Sequence, residues 1–333
     1  MATRDAPDAS GHDIIVIGSS AGGIQALKVL VGGLPPDLPA ALFVVQHLAP
    51  QVTSVLPQLL TRAGPLPVAH PQDGEVIQPG RIYVAPPDYH LTLVRGQMQV
   101  GKGPKEHGLR PAIDPLFRSA ARAYGRRVVG VILTGLRDDG TAGLIAVKVA
   151  GGAAVVQDPT EAAFADMPRN ALRYLEVDYC LALAEISPVL VRLTQRPVPR
   201  RKTEMMGHTF EQTDALIQQQ MAAVERGEIT AGPALLSCPD CGGTTWRFQE
   251  GAFTQLQCRI GHRYTPESFL ALQEEALEQA LWTAVRLLDE RASLAQERVQ
   301  AARAQHDQAA MEAWEHIAHE AQHKAALLRQ LLT

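Results

Sequence analysis

Residues 14–27, IIVIGSSAGGIQAL, place two serines at a glycine-rich corner between an apolar run and a helix-like pattern. Such a corner can bind a phosphate against bare backbone, or it can raise a serine as a nucleophile. Gly18-x-Ser20-x-Gly22 has the spacing of a nucleophile elbow, and Ser19 would lie on the other side of that turn. A serine that only caps the following helix gives the same pattern. The corner therefore nominates Ser20 as a nucleophile, with a helix cap as the alternative.

The two phosphate-binding alternatives fit this corner poorly. A dinucleotide fingerprint requires glycine at the second position of G-x-G-x-x-G, and Ser20 occupies that position. The acidic ribose partner is also missing, because the next apolar run ends in Gln46-His47. A P-loop would need Gly-Lys-Ser/Thr after the corner, and the sequence lacks it. A nucleotide-binding oxidoreductase is therefore disfavoured.

A serine nucleophile needs a base and a group that orients the base. His47 ends the apolar run ALFVVQH, and Asp138 and Asp139 follow the run VVGVILTG. Because the carboxyl ends of parallel strands meet at one edge of a sheet, we expect these side chains to converge on Ser20. Alone, such a histidine is usually structural and such an aspartate often caps a helix. Together they predict a Ser-His-Asp hydrolase.

A second candidate site is the cysteine cluster CPDCGGTTWRFQEGAFTQLQCRIGH, which begins at residue 238. Its pairs Cys238-x2-Cys241 and Cys258-x3-His262 supply the four ligands of a tetrahedral structural zinc, with no open position for catalysis. We therefore expect a zinc ribbon; the alternative is an incidental histidine beside reduced thiols. Cys180 stands apart and is expected to be a small buried apolar residue.

The elements that must position these residues alternate along the first half of the chain. Short apolar runs alternate there with helix-like stretches, and the runs are IIVIG (14–18), ALFVVQH (41–47), RIYVAP (81–86), VVGVILTG (128–135) and AAVVQD (153–158). Their continuous apolar character predicts strands buried on both faces. LTLVRGQMQV (91–100) predicts an inserted β-hairpin. We therefore predict an α/β fold, a doubly wound and mostly parallel sheet with helices on both faces.

The composition changes after residue 194. Residues 195–233 are typical of a linker with a short helix, the zinc ribbon is expected over 234–266, and 267–333 contain neither glycine nor proline. This last region predicts an α-helical hairpin bending near residues 304–310. Two apolar stripes are expected on it: Leu270, Leu277, Leu281, Val285 and Leu288, then Met311, Trp314, Ile317, Ala321, Leu327 and Leu331. We expect the linker to let the ribbon fold independently, and residues 1–12 to form a disordered tail.

Composition limits the function classes. Apolar residues make up 46% and charged residues 20%, so a sizeable core is available, and a net charge of −4 gives no case for nucleic acid as a partner. The N-terminus lacks the apolar core of a secretory signal, and no apolar run is long enough to span a membrane. Clustered cysteines suit a reducing compartment. We expect a cytoplasmic protein that is not inserted in a membrane.

Six successive blocks of the sequence resemble the catalytic domain of the chemotaxis protein-glutamate methylesterases. They are VIGSSAGG, FVVQHLAP, DGEVIQPGRIYVAPPDYHL, RPAIDPLFRSAA, GVILTGLRDDGTAGL and FADMPRNA, in order within residues 13–194. The resemblance implies that Ser20 is the nucleophile, His47 the base and Asp139, rather than Asp138, the aspartate. It also implies an oxyanion site bordered by backbone N–H groups near Ala21 and Leu136.

This resemblance implies a serine esterase that needs no cofactor for catalysis and carries a structural zinc only in its ribbon. The expected reaction is hydrolysis of glutamate methyl esters on a methylated chemoreceptor or similar signalling protein, and the family also deamidates glutamine. Arg110, Asp114 and Arg169 are candidates for substrate contact. Arg110 and Asp114 would alternatively brace a loop, and Arg169 would alternatively begin a helix. His90 and His107 are expected at the surface or in an outer layer of the site.

Two departures from the family pattern affect regulation. The usual chemotaxis enzyme carries a phosphoacceptor receiver domain ahead of the catalytic domain, whereas about a dozen residues precede the first strand here. We therefore expect no control by phosphorylation in cis. The C-terminal extension resembles that of stand-alone family members, and we expect its helices to dock a partner. The alternative function is a catalytically inactive signalling scaffold built on the same fold.

Overall fold

The structure is a computed structural model that describes residues 11–51, 53–196, 198, 236–250 and 253–332. The predicted N-terminal tail, apart from residues 11 and 12, and the predicted linker helix lie outside these residues. Two compact units are present, Met1–Ser268 and Phe269–Thr333.

Seven parallel strands form the central sheet of the first unit. Their order across the sheet is β3-β4-β2-β1-β7-β8-β9, and every pairing between neighbours is parallel. The strands are β1 (Ile14–Ser19), β2 (Ala41–Gln46), β3 (Val68–Ala69), β4 (Ile82–Val84), β7 (Val128–Ile132), β8 (Ala153–Gln157) and β9 (Tyr179–Leu181). The five apolar runs predicted as strands all pair in this sheet. All residues of β1, β2, β4, β7 and β8 are buried, as their continuous apolar character requires.

Helices cover both faces of this sheet, which confirms the doubly wound prediction. They are α1 (Gly23–Gly32), α2 (Leu56–Ala63), α3 (Ile113–Tyr124), α4 (Thr141–Val149), α5 (Asp166–Tyr174) and α6 (Leu183–Gln195). The buried side chains of α1, α2 and α6 belong to one core cluster and those of α3, α4 and α5 to another. Alternate residues of β1 enter the two cores, with Ile15 and Ile17 in the first and Ile14 and Val16 in the second.

The direction of winding reverses at β1. The chain passes from β1 to β2 on one side of the sheet, and it later returns as β7 on the other side of β1. Ligands in doubly wound sheets bind at the carboxyl ends of strands beside such a reversal. Ser20 follows β1, His47 follows β2, and Asp138 and Asp139 follow β7 by a short loop. The fold therefore delivers all the predicted catalytic residues to one crevice.

Two smaller features lie beside the central sheet. The predicted hairpin is present as β5 (His90–Val94) and β6 (Gln97–Gly101), which pair antiparallel through a turn containing Gly96 at φ 81°. The expectation that Cys180 is buried is wrong, because it lies in the edge strand β9 and its side chain is exposed.

Residues 236–264, here called the cysteine module, form a three-stranded antiparallel sheet of β10 (Thr245–Glu250), β11 (Phe253–Cys258) and β12 (Arg263–Tyr264). This module packs against the α/β domain within the first unit. The ring of Phe253 meets Tyr174 edge-on at 5.6 Å, and a β-bridge joins Arg263 to Glu106. The module therefore contacts the α/β domain, and its independent folding stays a prediction.

The second unit is a helical hairpin, as predicted. It contains most of α7 (Pro266–Ala304) and all of α8 (Gln308–Leu331), and the Asp307 carboxylate caps α8 by accepting a hydrogen bond from Ala310 N at 3.0 Å. Arg329 pairs with Asp289 between the two helices at 2.5 Å. Among the described residues, no helix is both long enough and apolar enough to cross a bilayer.

The buried residues of this hairpin include only Val285 and Ala321 of the two expected stripes. They are mostly alanines at heptad spacing: Val285, Ala292, Ala295, Val299 and Ala302 on α7, with Ala318, Ala321 and Ala325 on α8. Small side chains at these positions let two helices approach closely. Leu270 and Leu277 of the first expected stripe are instead 64% and 60% exposed.

Candidate active site

The corner between β1 and α1 holds Ser20 on a tight turn. Ser20 N donates a hydrogen bond to Thr134 O at 3.0 Å, and Gly22 adopts a left-handed φ of 74° before α1 begins. Gly135, in the loop after β7, lies directly against the serine. A Cβ atom at Gly135 would be 2.8 Å from Ser20 Cβ and 2.1 Å from Met167 Sδ, so only glycine allows this approach. The loop after β7 thus forms one wall of the serine site.

The two serines of the corner have different environments. Ser19 is 0% exposed, and its Oγ donates a hydrogen bond to Gln46 Oε1 at 2.8 Å. Ser20 is only partly buried, and within the described part of the chain its Oγ makes no hydrogen bond. Ser19 therefore stabilises the fold, whereas the hydroxyl of Ser20 remains available for chemistry.

Gln46 is a positioning residue that the sequence reasoning missed. Its Nε2 donates hydrogen bonds to Ser20 O at 2.8 Å and to His47 O at 3.0 Å, while its Oε1 accepts from Ser19. One buried amide thus fixes the backbone of both the nucleophile and the base. The signal for it was its position, since Gln46 is the last residue of a fully buried strand and immediately precedes His47.

His47 is paired with Asp139, and the ring nitrogen that it uses decides its role. Nε2 lies 2.8 Å from Asp139 Oδ2. An ionised carboxylate can only accept, so Nε2 carries the hydrogen and Nδ1 is left with the lone pair. The ring nitrogen that can accept a proton is therefore Nδ1, whereas in a trypsin-like arrangement the aspartate binds Nδ1. Within the described residues Ser20 Oγ makes no hydrogen bond with His47, and such catalytic hydrogen bonds are often long in enzymes without substrate.

Asp139 is held by the start of α3 as well as by His47. Its Oδ2 accepts a hydrogen bond from Ile113 N at 2.7 Å and its Oδ1 accepts one from Asp114 N at 3.1 Å, both at a helix N-terminus. Burial alone would raise the pKa of Asp139. The hydrogen bond from His47 and the charge of His107 outweigh burial, and the pKa lies below its usual range. Asp139 is therefore ionised at neutral pH and able to fix the His47 tautomer.

Asp138 faces away from His47, towards residues 265–268. Its Oδ2 accepts a hydrogen bond from Thr265 Oγ1, and its Oδ1 lies 3.9 Å from His107 Nδ1. Burial raises the pKa of Asp138, although the positive charge of His107 partly opposes this. Of the two neighbouring aspartates, the geometry thus favours Asp139 as the partner of the base.

The candidate oxyanion donors lie on the two loops that flank Ser20. Within the described chain, the backbone N–H groups of Ala21 and Leu136 donate no hydrogen bond to a protein acceptor. Thr134 ties these loops together, because its Oγ1 lies 3.0 Å from Ala21 O and accepts from Phe164 N at 2.8 Å. Fixed N–H groups without a partner beside a nucleophile are suited to stabilise a developing negative charge.

The four predicted metal ligands meet in the cysteine module. Cys238 Sγ and Cys258 Sγ lie 3.6 Å and 3.4 Å from His262 Nδ1, and Cys241 Sγ lies 3.7 Å from Cys258 Sγ. A zinc ion with metal–sulfur bonds of about 2.3 Å and a metal–nitrogen bond of about 2.0 Å requires tetrahedral edges of roughly 3.5 Å between sulfur and nitrogen and roughly 3.8 Å between two sulfurs. The Cys3His cluster therefore fits a tetrahedral metal in both its donor set and its spacing.

A comparison with known proteins decides which family has this fold and site. A family model described as CheB methylesterase matches residues 15–190. The chain belongs to the CheB methylesterase family. The matched region contains Ser20, His47 and Asp139, and the resemblance drawn from the six sequence blocks is confirmed.

Individual CheB relatives match the same part of the chain. The protein-glutamate methylesterase/protein-glutamine glutaminase 2 of Anaeromyxobacter dehalogenans is 41% identical over 194 residues, 58% of this chain and 57% of that protein. A relative from Leptospira interrogans is 38% identical over 191 residues, 57% of this chain and 99% of its own. The crystal structure of the Thermotoga maritima CheB methylesterase catalytic domain matches with a TM-score of 0.53 and 36% identity, over 54% of this chain and 98% of that one.

The curated CheB relatives are in part longer than the region they share with this chain. The match covers 53% of the relative from Methanosarcina mazei and 57% of the one from Anaeromyxobacter dehalogenans. The chain thus spans about half the length of these relatives.

The three candidate substrate contacts of this CheB domain have different surroundings. Asp114 is 0% exposed, and its carboxylate accepts from Gly143 N at 2.6 Å and lies 3.0 Å from His107 Nε2. Its assignment to substrate binding is therefore corrected to bracing, because both oxygens face the interior. Arg110 binds Asp88 Oδ1 at 2.8 Å and Gly103 O at 2.9 Å, which also fits a brace. Arg169 is exposed in the first turn of α5 and stays a candidate.

His107 was expected at the surface or in an outer layer of the site, and the structure buries it. Its side chain is 1% exposed, 3.8 Å from Asp139 Oδ1 through Nε2. Burial alone would lower the pKa of His107, but the hydrogen bond to Asp114 and the charges of Asp139 and Asp138 raise it to about 10. His107 is therefore an imidazolium behind the Ser-His-Asp residues at neutral pH.

Proposed function

We propose that this protein hydrolyses the methyl esters of glutamate side chains on a chemoreceptor-like protein and releases methanol. The observation that carries the proposal is an available serine hydroxyl, Ser20, on the same sheet edge as a buried and aligned His47–Asp139 pair. The family membership and the relatives named protein-glutamate methylesterase support the reaction class. The thiol cluster suits a reducing compartment, and we assign the reaction to the cytoplasm.

The reaction follows from the roles of three side chains. Ser20 Oγ attacks the ester carbonyl while His47 Nδ1 takes its proton, and Asp139 holds the Nε2–H of the resulting imidazolium. The backbone N–H groups of Ala21 and Leu136 stabilise the oxyanion. The imidazolium then gives its proton to the departing methoxide, which leaves as methanol. A water molecule, deprotonated by His47, then attacks the carbonyl of the glutamyl-enzyme. The bond to Ser20 Oγ breaks, and the imidazolium returns its proton to Ser20 Oγ.

The same acyl-enzyme also forms from a glutamine side chain, with ammonia as the leaving group. We propose this deamidation as a second activity, because the relatives are also named protein-glutamine glutaminase. Both activities are tested by incubating the protein with a methylated receptor fragment and with its unmethylated glutamine form, measuring methanol and ammonia. The inactive-scaffold alternative predicts neither product and no labelling by a fluorophosphonate probe.

We further propose that Cys238, Cys241, Cys258 and His262 bind one structural zinc, so that residues 234–266 form a zinc ribbon. Three thiolates and one imidazole leave no position for substrate, so the metal would stabilise this fold and take no part in the hydrolysis. The proposed catalytic domain extends over residues 13–194, and the linker over 195–233.

Metal analysis of the purified protein is expected to find about one zinc per chain. The double variant Cys238→Ser, Cys241→Ser should lose it, because an alcohol is a poor zinc ligand at neutral pH. The matched control is Cys180→Ser, which also removes a thiol but should keep the metal. Full zinc content in the double variant would show that the ligands lie elsewhere.

The helical hairpin is the proposed docking site for the methylated receptor. Leu270 and Leu277 lie seven residues apart on one side of α7, and they are 64% and 60% exposed. Exposed apolar residues in such a row are typical of a surface that binds another helix.

Replacing both leucines by glutamate is expected to raise the KM for a methylated receptor severalfold and to leave turnover of a small ester unchanged. The physical reason is that a charge on this face opposes burial against a partner, while Ser20, His47 and Asp139 are left unchanged. Gln279→Glu adds a charge at an exposed position of the same helix and serves as the control. An unchanged KM for the receptor in the double leucine variant would exclude this face from docking.

A further inference from the structure

Behind the catalytic pair lies a buried cluster of charges that the proposed reaction does not use directly. Asp114, Asp138 and Asp139 contribute three carboxylates, and His107 is the cation among them. His107 Nε2 lies 3.0 Å from Asp114 Oδ2 and 3.8 Å from Asp139 Oδ1. Like charges this close repel strongly in a buried site unless a cation offsets them. His107 therefore stabilises the ionised form of the aspartate that orients the base.

The orientation of His107 is set by residues 263–268, which continue from the cysteine module. Its backbone N–H donates to Arg263 O at 2.7 Å, and its Nδ1 lies 2.9 Å from Ser268 Oγ. The φ of His107 is 54°, a left-handed conformation that a non-glycine residue keeps only when its surroundings fix it. Each of these contacts comes from outside residues 13–194.

The hydroxyls that bind this cluster also cap a helix. Thr265 N donates to Ser268 Oγ at 3.0 Å and Ser268 N donates to Thr265 Oγ1 at 3.1 Å, a reciprocal cap at the start of α7. Thr265 Oγ1 in turn donates to Asp138 Oδ2, beside the positive end of the helix. Thr265 and Ser268 are 3% and 0% exposed, so water does not replace these contacts. Residues 265–268 therefore border the charge cluster and are held in place by buried hydrogen bonds.

From this geometry we propose that His107 is a positioning residue for the reaction, and that the segment Thr265–Ser268 aligns it. Arg263 O holds the His107 backbone and Ser268 Oγ holds its ring. The ring holds Asp139 in its ionised and aligned form, and Asp139 holds the tautomer of His47. Residues 263–268, which follow the linker, then contribute to the geometry of the active site. This inference rests on the proposed function, because it requires Asp139 and His47 to act in catalysis.

The test is the full-length variant Ser268→Ala, assayed on a small ester so that receptor docking plays no part. Removing the hydroxyl releases the His107 ring, and a displaced catalytic group commonly costs about ten- to a hundredfold. We expect kcat to fall by this factor with KM unchanged, and we expect a similar fall in the rate of labelling by a fluorophosphonate probe. His107→Gln should show at least as large a fall.

The control separates loss of alignment from loss of a helix cap. Asp307→Ala removes the cap of α8 in the second unit, and its kcat on the small ester should equal that of the parent. A second readout is the combination of Ser268→Ala with Asp139→Asn. If the segment acts through Asp139, adding Ser268→Ala to Asp139→Asn causes no further fall, whereas a purely structural role gives an additive loss.

The outcomes distinguish this inference from the function on which it rests. A parent protein without esterase activity or probe labelling overturns both. An active parent together with Ser268→Ala and His107→Gln variants of unchanged kcat overturns the positioning role alone. A further loss of about tenfold on the Asp139→Asn background also overturns it.

Discussion

Replacing Ser20 by alanine is expected to abolish methanol release from a methylated receptor fragment. Loss of a triad serine lowers kcat by roughly a millionfold in a well-studied serine hydrolase, because the covalent route is removed and only binding and oxyanion stabilisation remain. The substitution should not disturb the fold, since the Ser20 side chain is only partly buried and its backbone N–H to Thr134 O bond is kept. Methanol release and the melting temperature, measured on the same preparation, give both results.

Ser19→Ala is the matched control on the neighbouring residue. It removes the hydrogen bond to Gln46 Oε1 and leaves that buried acceptor unpaired, which costs about 1–3 kcal/mol of folding free energy. We therefore expect a lower melting temperature with most of the methanol release retained. Ser20→Ala is thus expected to lose activity and keep its stability, whereas Ser19→Ala is expected to lose stability and keep its activity. Equal activity of Ser20→Ala and the parent would exclude Ser20 as the nucleophile.

The sequence predicts the sheet and the catalytic crevice because both depend on local patterns. Strands buried on two faces are continuous apolar runs, and their carboxyl ends are marked by the polar residues that follow them. Ser20, His47 and Asp139 each stand directly after such a run or one short loop beyond it. The edge strands β3 and β9, which are two and three residues long, were not among the predicted runs.

The outer parts of the site depend on contacts between distant residues, which a single sequence does not reveal. Ser268 reaches His107 across 161 positions, and Thr265 reaches Asp138 across 127. Composition after residue 194 indicated a separate module, but complementary surfaces between modules have no periodic signature. The direction of a side chain is equally hidden, which is why the sequence left substrate contact and bracing as alternatives for Asp114.

The hairpin seam was predicted only in part, for a different reason. Alanine is a frequent residue on any helix surface, so the heptad of Ala292, Ala295 and Ala302 is weaker in the sequence than the leucines around it. The predicted stripes contain Val285 and Ala321 of the seam, but they also contain leucines that are exposed. Close approach of two helices selects small side chains at the seam, and some larger apolar residues are then left outside it.

Asp139→Asn is expected to lower kcat by roughly ten thousandfold, the effect of the equivalent change in a trypsin-like triad. Asp139 Oδ2 accepts from both His47 Nε2 and Ile113 N, and Oδ1 accepts from Asp114 N. If the asparagine NH2 takes the place of Oδ2, it faces two N–H donors. His47 must then carry its proton on Nδ1, the nitrogen that has to accept the proton of Ser20. If the NH2 takes the place of Oδ1, it faces the Asp114 N–H and the hydrogen bond to Asp114 is lost. No orientation of asparagine satisfies all three donors.

The neighbouring variant Asp138→Asn is the control for this prediction. Its amide keeps an oxygen to accept from Thr265 Oγ1, and Asp138 makes no contact with His47. We expect its kcat to fall by much less than that of Asp139→Asn. Comparable losses in both variants would contradict the assignment of Asp139 as the residue that orients the base.

The pH dependence of stability gives an independent check on Asp139. Its pKa is lowered in the folded protein below the ordinary value of 3.8, so its ionised form stabilises the fold at pH values above that ordinary value. The contribution is lost as the pH falls below 3.8 towards the folded pKa. The parent should therefore unfold at a higher temperature than Asp139→Asn at pH 7, and this difference should shrink as the pH is lowered below about 4. A difference in melting temperature that stays constant down to pH 2 would mean that the carboxylate of Asp139 is not held in its ionised form by His47, His107 and the start of α3.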